Sequence, residues 1–368
     1  MRTTRSKVLA VLLCVGFVIT AFAPTADAWG RDRTEHRDRT EHRDRNEHRG
    51  GRVDVLLDGL SSPKGLDTFI GQPVVAQGAF GPPGPVLLHL SLFGRSKTLE
   101  VSEPLSLVDV AVGHDGSAWL LGTDFVLYRK TIFSDPKPIA NIAEYQATDP
   151  DPDDLEGNPT ESNPYGLAVL PSGEALVADA AGNDVLRVSK HGEISTFARF
   201  APEIVATDHL PGFPEPAIPS EAVPTSIAIG WDGVYVGQLQ GFPFRPGTSE
   251  IFKIPFKADG ALCDTDGPST NCSVAESGFT AIQDIAIDRW TGKTYVYELA
   301  ADGVLPFEEG LETGVFPPAV LLELRGDHRR ELAAGQLSQP GGVAVGLFGA
   351  VFVTDGTFTE GRLLRIRS

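Results

Sequence analysis

A cassette of short apolar strands and glycine turns recurs six times along this chain of 368 residues. The copies begin at Pro63, Leu107, Pro164, Pro224, Ile282 and Pro340. From the second copy onward the starts are 57 to 60 residues apart. A unit of this length with several strands cannot bury both faces of its sheet alone. The repeat therefore predicts an all-β fold, a six-bladed β-propeller.

The two ends of the repeat region complement each other. The last copy has three strands where the interior copies have room for four. The segment Val53 to Leu57 has the short alternating character of an outer strand such as Ile194 to Ala198. We therefore predict that this N-terminal strand completes the last blade and closes the ring, because a closed ring leaves no unpaired edge.

The chain divides into three predicted regions. Residues 1–28 combine basic residues, the apolar run Val8 to Phe22 and a small-residue cleavage site, which is typical of a secretory signal peptide. A retained membrane anchor is the alternative, but the run is shorter than the roughly 20 residues that a spanning helix needs. Residues 29–52 are predicted to be disordered, and residues 53–368 to form the propeller. We expect a bacterial protein that is secreted or held in the cell envelope, without a membrane span after cleavage.

The predicted disordered region holds three Arg/Asp/Glu/His-rich repeats between Arg31 and His48. These repeats contain no apolar residue that could drive folding. Their histidines, His36, His42 and His48, could chelate a transition metal. The alternative is a solvated spacer that holds the propeller away from the envelope.

The charge balance narrows the range of partners. Residues 53–368 carry 20 basic and 42 acidic side chains. Such an acidic surface repels phosphate groups, so neither nucleic acid nor anionic lipid is an expected partner. Cations and neutral or cationic small molecules stay open as ligands. The expected oligomeric state is a monomer.

Cys263 and Cys272 flank a polar loop, and in an exported protein this arrangement predicts a local disulfide. Two unpaired thiols are the alternative. The loop also contains Asp264, Asp266 and Gly267. A calcium loop needs a bidentate carboxylate further along, which this loop lacks.

Three long inserts interrupt the strands, at 147–162, 202–222 and 300–318. Such loops usually lie on one face of a propeller, where binding sites are built. The chain contains 40 Gly and 28 Pro, so we expect no interior helix of any size.

Six polar residues share one position, just past the second strand of each cassette. They are Gln77, Thr123, Asp179, Gln238, Glu298 and Asp355. We predict that they point toward the mouth of the central channel, where they could bind a polar ligand or a hard cation. The alternative is that each accepts hydrogen bonds from loop backbone and caps its own strand.

A candidate metal site combines ring carboxylates with amides near the third cassette. Its proposed ligands are Asn163, Asp179, Asn183, Glu298 and Asp355. Carboxylate and amide oxygens suit Ca²⁺ or another divalent cation. The alternative is that Asn163 is an ordinary turn former before proline.

Three segments are similar to one known family. They are Asn163 to Leu167, Ala178 to Val188 and Tyr235 to Phe244. They resemble the ScyD/ScyE family, and the resemblance covers nearly all of Val53 to Ser368. It implies an exported propeller related to NHL-repeat proteins and little defined chemistry. Position 238, often Glu in that family, is Gln here, which weakens any metal site that uses this blade.

Standard catalytic motifs are largely missing: the sequence has no Gly-x-Ser-x-Gly, no His-Glu-x-x-His and no glycine-rich phosphate loop. The expected function is a non-enzymatic binding module for a small molecule, a glycan or an envelope protein. The alternative is a metal-dependent hydrolase resembling gluconolactonases, with Asn163, Asp179, Glu298 and Asp355 as ligands. The ion would polarise a lactone carbonyl and lower the pKa of bound water. A scaffold without a ligand is a third possibility.

Overall fold

The structure is a computed structural model that describes residues 52–92, 95–131 and 134–367. The predicted signal peptide and nearly all of the predicted disordered region lie outside the described residues. Within them, antiparallel strands form six blades, and every blade contains four strands in the order expected for a propeller.

The first three blades follow one another along the chain. Blade 1 contains β2 (Leu66–Phe69), β3 (Gln72–Val75), β4 (Leu87–Leu92) and β5 (Arg95–Glu100). Blade 2 contains β6 (Leu107–Val112), β7 (Ser117–Gly122), β8 (Val126–Thr131) and β9 (Lys137–Asn141), and the short helix α1 (Ile142–Gln146) follows it. Blade 3 contains β10 (Pro164–Val169), β11 (Ala175–Asp179), β12 (Asp184–Val188) and β13 (Ile194–Phe200).

The last three blades begin after a separate hairpin of β14 (Glu203–Ala206) and β15 (Ala217–Ser220). Blade 4 contains β16 (Pro224–Ile229), β17 (Val234–Gln238), β18 (Ser249–Ile254) and β20 (Ser273–Phe279). Blade 5 contains β21 (Ile282–Ile287), β22 (Thr294–Glu298), β23 (Val320–Arg325) and β24 (His328–Leu332). Blade 6 contains β25 (Pro340–Val345), β26 (Val351–Asp355), β27 (Glu360–Arg367) and β1 (Arg52–Ser61).

The first strands of the blades form a closed ring around the axis. Each first strand contacts the next one in the order β2, β6, β10, β16, β21 and β25, and β25 contacts β2. The six-bladed propeller predicted from the repeat is confirmed.

The N-terminal strand closes the ring, as predicted. β1 pairs antiparallel with β27, from Arg52 opposite Arg367 to Ser61 opposite Glu360. Ser62 Oγ, just beyond this strand, donates a hydrogen bond to the carbonyl oxygen of Thr357 at 2.7 Å. The two ends of the described chain are therefore joined within one blade.

Six hydrophobic clusters of the described residues each lie between two neighbouring blades. Trp119 of blade 2, for example, is fully buried with Val177 of blade 3 in one of them. This arrangement follows from the sequence, because strands of Val, Leu, Ile and Ala are apolar on both sheet faces and need a blade on either side.

The antiparallel strand order gives the ring two faces. The turn face holds the turns between first and second strands, such as 170–174, and between third and fourth strands, such as 189–193. The loop face holds the turns between second and third strands and the connections to the next blade. All three long inserts start and end on the loop face.

The expectation of no interior helix of any size was wrong for one insert. Helix α2 (Val304–Thr313) lies in the insert of blade 5. Val304 and Phe307, one helical turn apart, are both buried in a seventh cluster that covers part of the loop face. This spacing supplies the apolar stripe that a surface helix needs, and Pro306 is tolerated in the first helical turn.

The predicted disulfide between Cys263 and Cys272 is present. The strand β19 (Ala261–Cys263) leads into it and pairs parallel with β13, so the disulfide loop of blade 4 is attached to the outer edge of blade 3. In the described part of the chain, no helix has both the length and the apolar character to cross a bilayer.

Candidate functional site

Four of the six predicted ring residues contact the segment that leads into the first strand of their own blade. Each accepts a hydrogen bond from a backbone N–H of that segment. The pairs are Gln77 with Ser61 (2.9 Å), Asp179 with Asn163 (2.6 Å), Glu298 with Thr280 (2.7 Å) and Asp355 with Ser338 (2.7 Å). Such contacts are expected if a ring residue accepts hydrogen bonds from loop backbone and caps its own strand.

The other two ring residues differ from this pattern. Thr123 is exposed, and its backbone N–H donates to the carbonyl oxygen of Ser106 at 3.0 Å. Gln238 is fully buried, and its Nε2 donates to Gln240 Oε1 at 2.7 Å. The ligand-binding role of the ring stays a prediction.

The carboxylate of Asp179 holds together the entry to blade 3. It accepts from Ser162 Oγ at 2.6 Å and from the N–H of Gly182 at 3.2 Å, besides Asn163. Burial raises its pKa, and these hydrogen bonds act in the opposite direction.

We expect Asp179→Ala to lower the free energy of unfolding by about 2–4 kcal/mol, because buried donors lose their acceptor. Urea unfolding monitored by circular dichroism measures this change. Thr123→Ala, at the exposed equivalent position in blade 2, is the control and should change stability little. Equal stability of the Asp179→Ala variant and the unmodified protein would contradict the capping role.

The candidate metal ligands take part in separate local contacts. Asn183 Nδ2 donates to Asp151 Oδ2 at 3.0 Å, and its Oδ1 accepts from the N–H of Val223 at 3.0 Å. Arg362 forms an ion pair with Asp355 at 2.5 Å. Within residues 52–92, 95–131 and 134–367, no group of three His, Cys, Asp or Glu is placed to hold a metal ion.

A cavity of about 450 Å³ occupies the central channel. It is lined by the first strands of all six blades, from Leu66 to Ile70 in blade 1 to Val343 to Val345 in blade 6. The predicted ring residues are not part of this lining. His114 and Arg289, which belong to turns of the turn face, are part of it. The cavity therefore extends to the turn face.

Side chains from alternate blades cross the axis at the loop-face end of the channel. Lys64 Nζ donates to the carbonyl oxygen of Tyr165 at 2.8 Å and lies 3.8 Å from the centre of the Tyr165 ring. Gln283 Nε2 donates to Tyr165 Oη at 2.6 Å. All three side chains are buried. They lie at the loop-face end of the channel, and we call the part of the channel on their turn-face side the cup.

Three aspartates of the first strands line this cup. Each connects two neighbouring blades, because one carboxylate oxygen accepts a backbone N–H from the next first strand. The pairs are Asp67 with Val112 (2.6 Å), Asp109 with Leu167 (2.8 Å) and Asp284 with Val343 (2.7 Å). A carboxylate oxygen has a second lone pair, so each can accept a further hydrogen bond from the channel.

Burial raises the pKa of all three channel aspartates, of Asp67 to about 7, of Asp109 to about 6 and of Asp284 to about 8. Lys64 opposes this effect at Asp109 and Asp284, and its own pKa is lowered by burial. Near neutral pH these groups can therefore change protonation when a ligand enters.

Four exposed large apolar side chains, three of them aromatic, lie on the first turns of blades 4, 5, 6 and 1, on the face where the cup opens. Trp290 is 89% exposed and Trp231 is 64% exposed, and their ring centres are 6.3 Å apart in an edge-to-face arrangement. Phe348 and Ile70, on the first turns of blades 6 and 1, are also exposed. Together these four residues form what we call the aromatic mouth.

Arg289 connects the aromatic mouth to the channel. Its guanidinium carbon lies 5.4 Å from the centre of the Trp231 ring, and its Nη1 is 3.5 Å from His114 Nε2 of blade 2. Blades 2 and 5 lie on opposite sides of the ring, so this pair spans the entrance. The mouth can hold a flat ring, and the channel below it offers hydrogen-bond acceptors.

Neither the channel aspartates nor the aromatic mouth was predicted from the sequence. Asp109 and Asp284 both stand at the third position of first strands that are otherwise mostly apolar, which is a detectable signal. Trp231 and Phe348 stand next to a glycine and Trp290 two residues before one, in turns where an aromatic residue has no core to enter.

Comparisons with solved structures place the chain among β-propeller proteins. A glucose dehydrogenase is similar with a TM-score of 0.53 and 14% identity, over 86% of this chain and 99% of that chain. The apo form of the soluble aldose sugar dehydrogenase from Escherichia coli gives 0.50 and 14%, over 86% and 99%. Virginiamycin B lyase from Staphylococcus aureus gives 0.49 and 13%, over 85% and 99%. At these identities the two dehydrogenases show a shared fold alone.

No protein-family model matches the chain, and no curated protein matches it either. The resemblance to the ScyD/ScyE family is therefore not confirmed and stays a prediction.

Proposed function

We propose that this protein is an exported, non-enzymatic binding module that takes a neutral glycan at its aromatic mouth. The observation that carries the proposal is the exposed pair of Trp231 and Trp290 beside a channel lined by three aspartates. Two large apolar rings on short turns at a cavity entrance are typical of a binding surface.

A saccharide fits both parts of the site. The apolar face of a sugar ring packs on an indole ring, as other flat apolar surfaces do. Its hydroxyl groups can donate hydrogen bonds to Asp67, Asp109 and Asp284 through the remaining lone pairs, since each carboxylate already accepts two backbone N–H groups. A neutral ligand also suits a propeller with 20 basic and 42 acidic residues, which disfavours polyanions.

Export and family membership are parts of the same proposal. The signal-peptide pattern in residues 1–28 and the disulfide between Cys263 and Cys272 both suit an oxidising compartment. The segments Asn163 to Leu167, Ala178 to Val188 and Tyr235 to Phe244 support membership of the ScyD/ScyE family.

Tryptophan fluorescence can test the glycan proposal directly. Of the four tryptophans in the sequence, Trp231 and Trp290 lie at the mouth and Trp119 is fully buried. We expect titration with cellotriose, mannotriose or N-acetylchitotriose to change the emission in at least one case. Trp290→Ala should then lower the affinity about tenfold or more, as loss of a central aromatic contact does.

Val315→Ala is the matched control, because Val315 is an apolar side chain that is 76% exposed on the loop face. This variant should bind like the unmodified protein. Glycan binding that persists in a Trp231→Ala/Trp290→Ala double variant would place the site elsewhere. Turnover of a lactone or another defined substrate would favour the hydrolase alternative.

A further inference from the structure

Three oxygen atoms that lack hydrogen-bond donors lie where blade 4 meets the β14–β15 hairpin. They are Glu203 Oε1, Gln238 Oε1 and Glu250 Oε2, and each is buried without a partner. We call these three residues the Glu203 cluster. An acceptor atom that is buried without a donor is costly, so these three oxygen atoms are open to a ligand from outside the chain.

Strand register brings the cluster together. Gly237 pairs with Ile251 in β17 and β18, which puts Gln238 opposite Glu250. Opposite residues in a sheet have their side chains on the same face, about 5 Å apart at Cβ. Glu203 belongs to the adjacent hairpin, where it pairs with Ser220. Its carboxylate accepts hydrogen bonds from the Thr265 and Gln238 side chains, and Oε1 is the carboxylate atom that stays without a donor.

A chain of hydrogen bonds fixes the orientation of the Gln238 amide. Ser220 Oγ donates to the carbonyl oxygen of Gly241 at 3.1 Å, so it can only accept from Gln240 Nε2, 2.9 Å away. Gln240 Oε1 must then accept from Gln238 Nε2 at 2.7 Å. The Gln238 side-chain oxygen, Oε1, therefore takes no part in this series of hydrogen bonds and has no donor.

The electrostatic surroundings of the cluster are negative. Burial raises the pKa of Glu203, and the charges of Asp266 and Asp264 in the disulfide loop raise it further. Burial also raises the pKa of Glu250, and the charge of Glu203 adds to this effect. Asp266 Oδ2 already accepts the backbone N–H of Ile204 at 2.7 Å. The disulfide loop thus brings the carboxylates of Asp264 and Asp266 near Glu203, although these aspartates are about 60 residues away from it in the sequence.

We propose that the Glu203 cluster binds a divalent cation of the Ca²⁺ type, with the Glu203 and Glu250 carboxylates and the Gln238 carbonyl oxygen as protein ligands. Ca²⁺ takes six to eight oxygen ligands, so water molecules complete the shell. Two carboxylates and an amide make a weak site, with a Kd of about 10⁻⁴–10⁻³ M, the range of extracellular calcium modules. The bound ion would connect the hairpin to blade 4.

Calorimetric titration of the full-length protein with CaCl₂, after removal of metal by chelator, measures this site. We expect one ion per chain and a rise in melting temperature of roughly 2 °C at 5 mM CaCl₂, because only the folded state holds the ligands together. Glu250→Gln should abolish the binding and the rise. Gln238→Glu should lower the Kd about tenfold, because it adds a third carboxylate.

Glu308→Gln is the matched control. Glu308 Oε1 is also buried without a partner, but it belongs to helix α2 and lies outside the cluster. This variant should keep the calcium-dependent rise. The proposal is overturned if the unmodified protein binds no Ca²⁺ up to 10 mM, or if Glu250→Gln keeps the same Kd. If Glu250→Gln does not fold, an unchanged Kd in Gln238→Glu overturns it instead.

Discussion

A chain that starts at Gly59 is expected to lose the folded propeller at 37 °C or to melt more than about 10 °C below the full chain. The deletion removes most of β1, and β27 loses the partner that it pairs with from Arg367 to Glu360. The outer edge of blade 6 then becomes an unpaired strand, which favours aggregation. The remaining Leu60, buried between blades 6 and 1, loses the strand that positions it.

Circular dichroism melts and size-exclusion chromatography measure this effect. The matched control is a chain that starts at Arg52, since it keeps β1 and removes only the residues before it. This control should melt like the full chain. A smaller test of the same contact is Leu60→Ala, which should cost about 2–4 kcal/mol. A Gly59 chain with the melting temperature of the Arg52 chain would show that β1 does not support the ring.

Ring closure could be predicted because it depends only on the number of strands in each repeat. The final repeat has one strand too few, and Val53 to Leu57 supplies a segment of the missing type. The disulfide between Cys263 and Cys272 was predictable for a similar reason, because the two cysteines stand close together in one loop. Neither prediction needs knowledge of how two blades are aligned.

The channel aspartates could not be predicted in this way. Asp67 contacts Val112 and Asp284 contacts Val343, so each partner lies in the next blade, 45 and 59 residues away in the sequence. These contacts depend on the vertical alignment of neighbouring first strands, which the repeat spacing alone does not determine. The predicted ring residue Asp179 instead accepts hydrogen bonds from Ser162 Oγ and the N–H of Asn163, at the entry to its own blade.

Stability is expected to rise as the pH is lowered from 8 to about 5, in contrast to many proteins. Burial raises the pKa of Asp284 to about 8 and of Asp67 to about 7. In the unfolded chain an Asp carboxyl titrates near 3.9. Between these values the folded state keeps a proton that the unfolded state releases, so a rise in pH favours unfolding. Below about pH 4 both states are protonated, and this dependence ends.

Asp284→Asn should make stability less dependent on pH, because an amide has no proton to lose in this range. One group that holds a full extra proton in the folded state changes the free energy of unfolding by about 1.4 kcal/mol per pH unit. Urea unfolding at pH 5.5 and pH 8 measures the difference between the two proteins. The absolute stability of the variant can also change, since an amide nitrogen cannot accept the N–H of Val343, so the pH slope is the decisive quantity.

Asp302→Asn is the matched control, because Asp302 is exposed on the loop-face insert of blade 5. Its slope should equal that of the unmodified protein. The groups that act most strongly on Asp284 are Asp109 and Lys64, and both remain in all three proteins. A slope that is the same in Asp284→Asn and in the unmodified protein would mean that Asp284 is charged throughout this range. The channel would then be a permanently anionic cup, and a cationic ligand would become a better candidate than a neutral glycan.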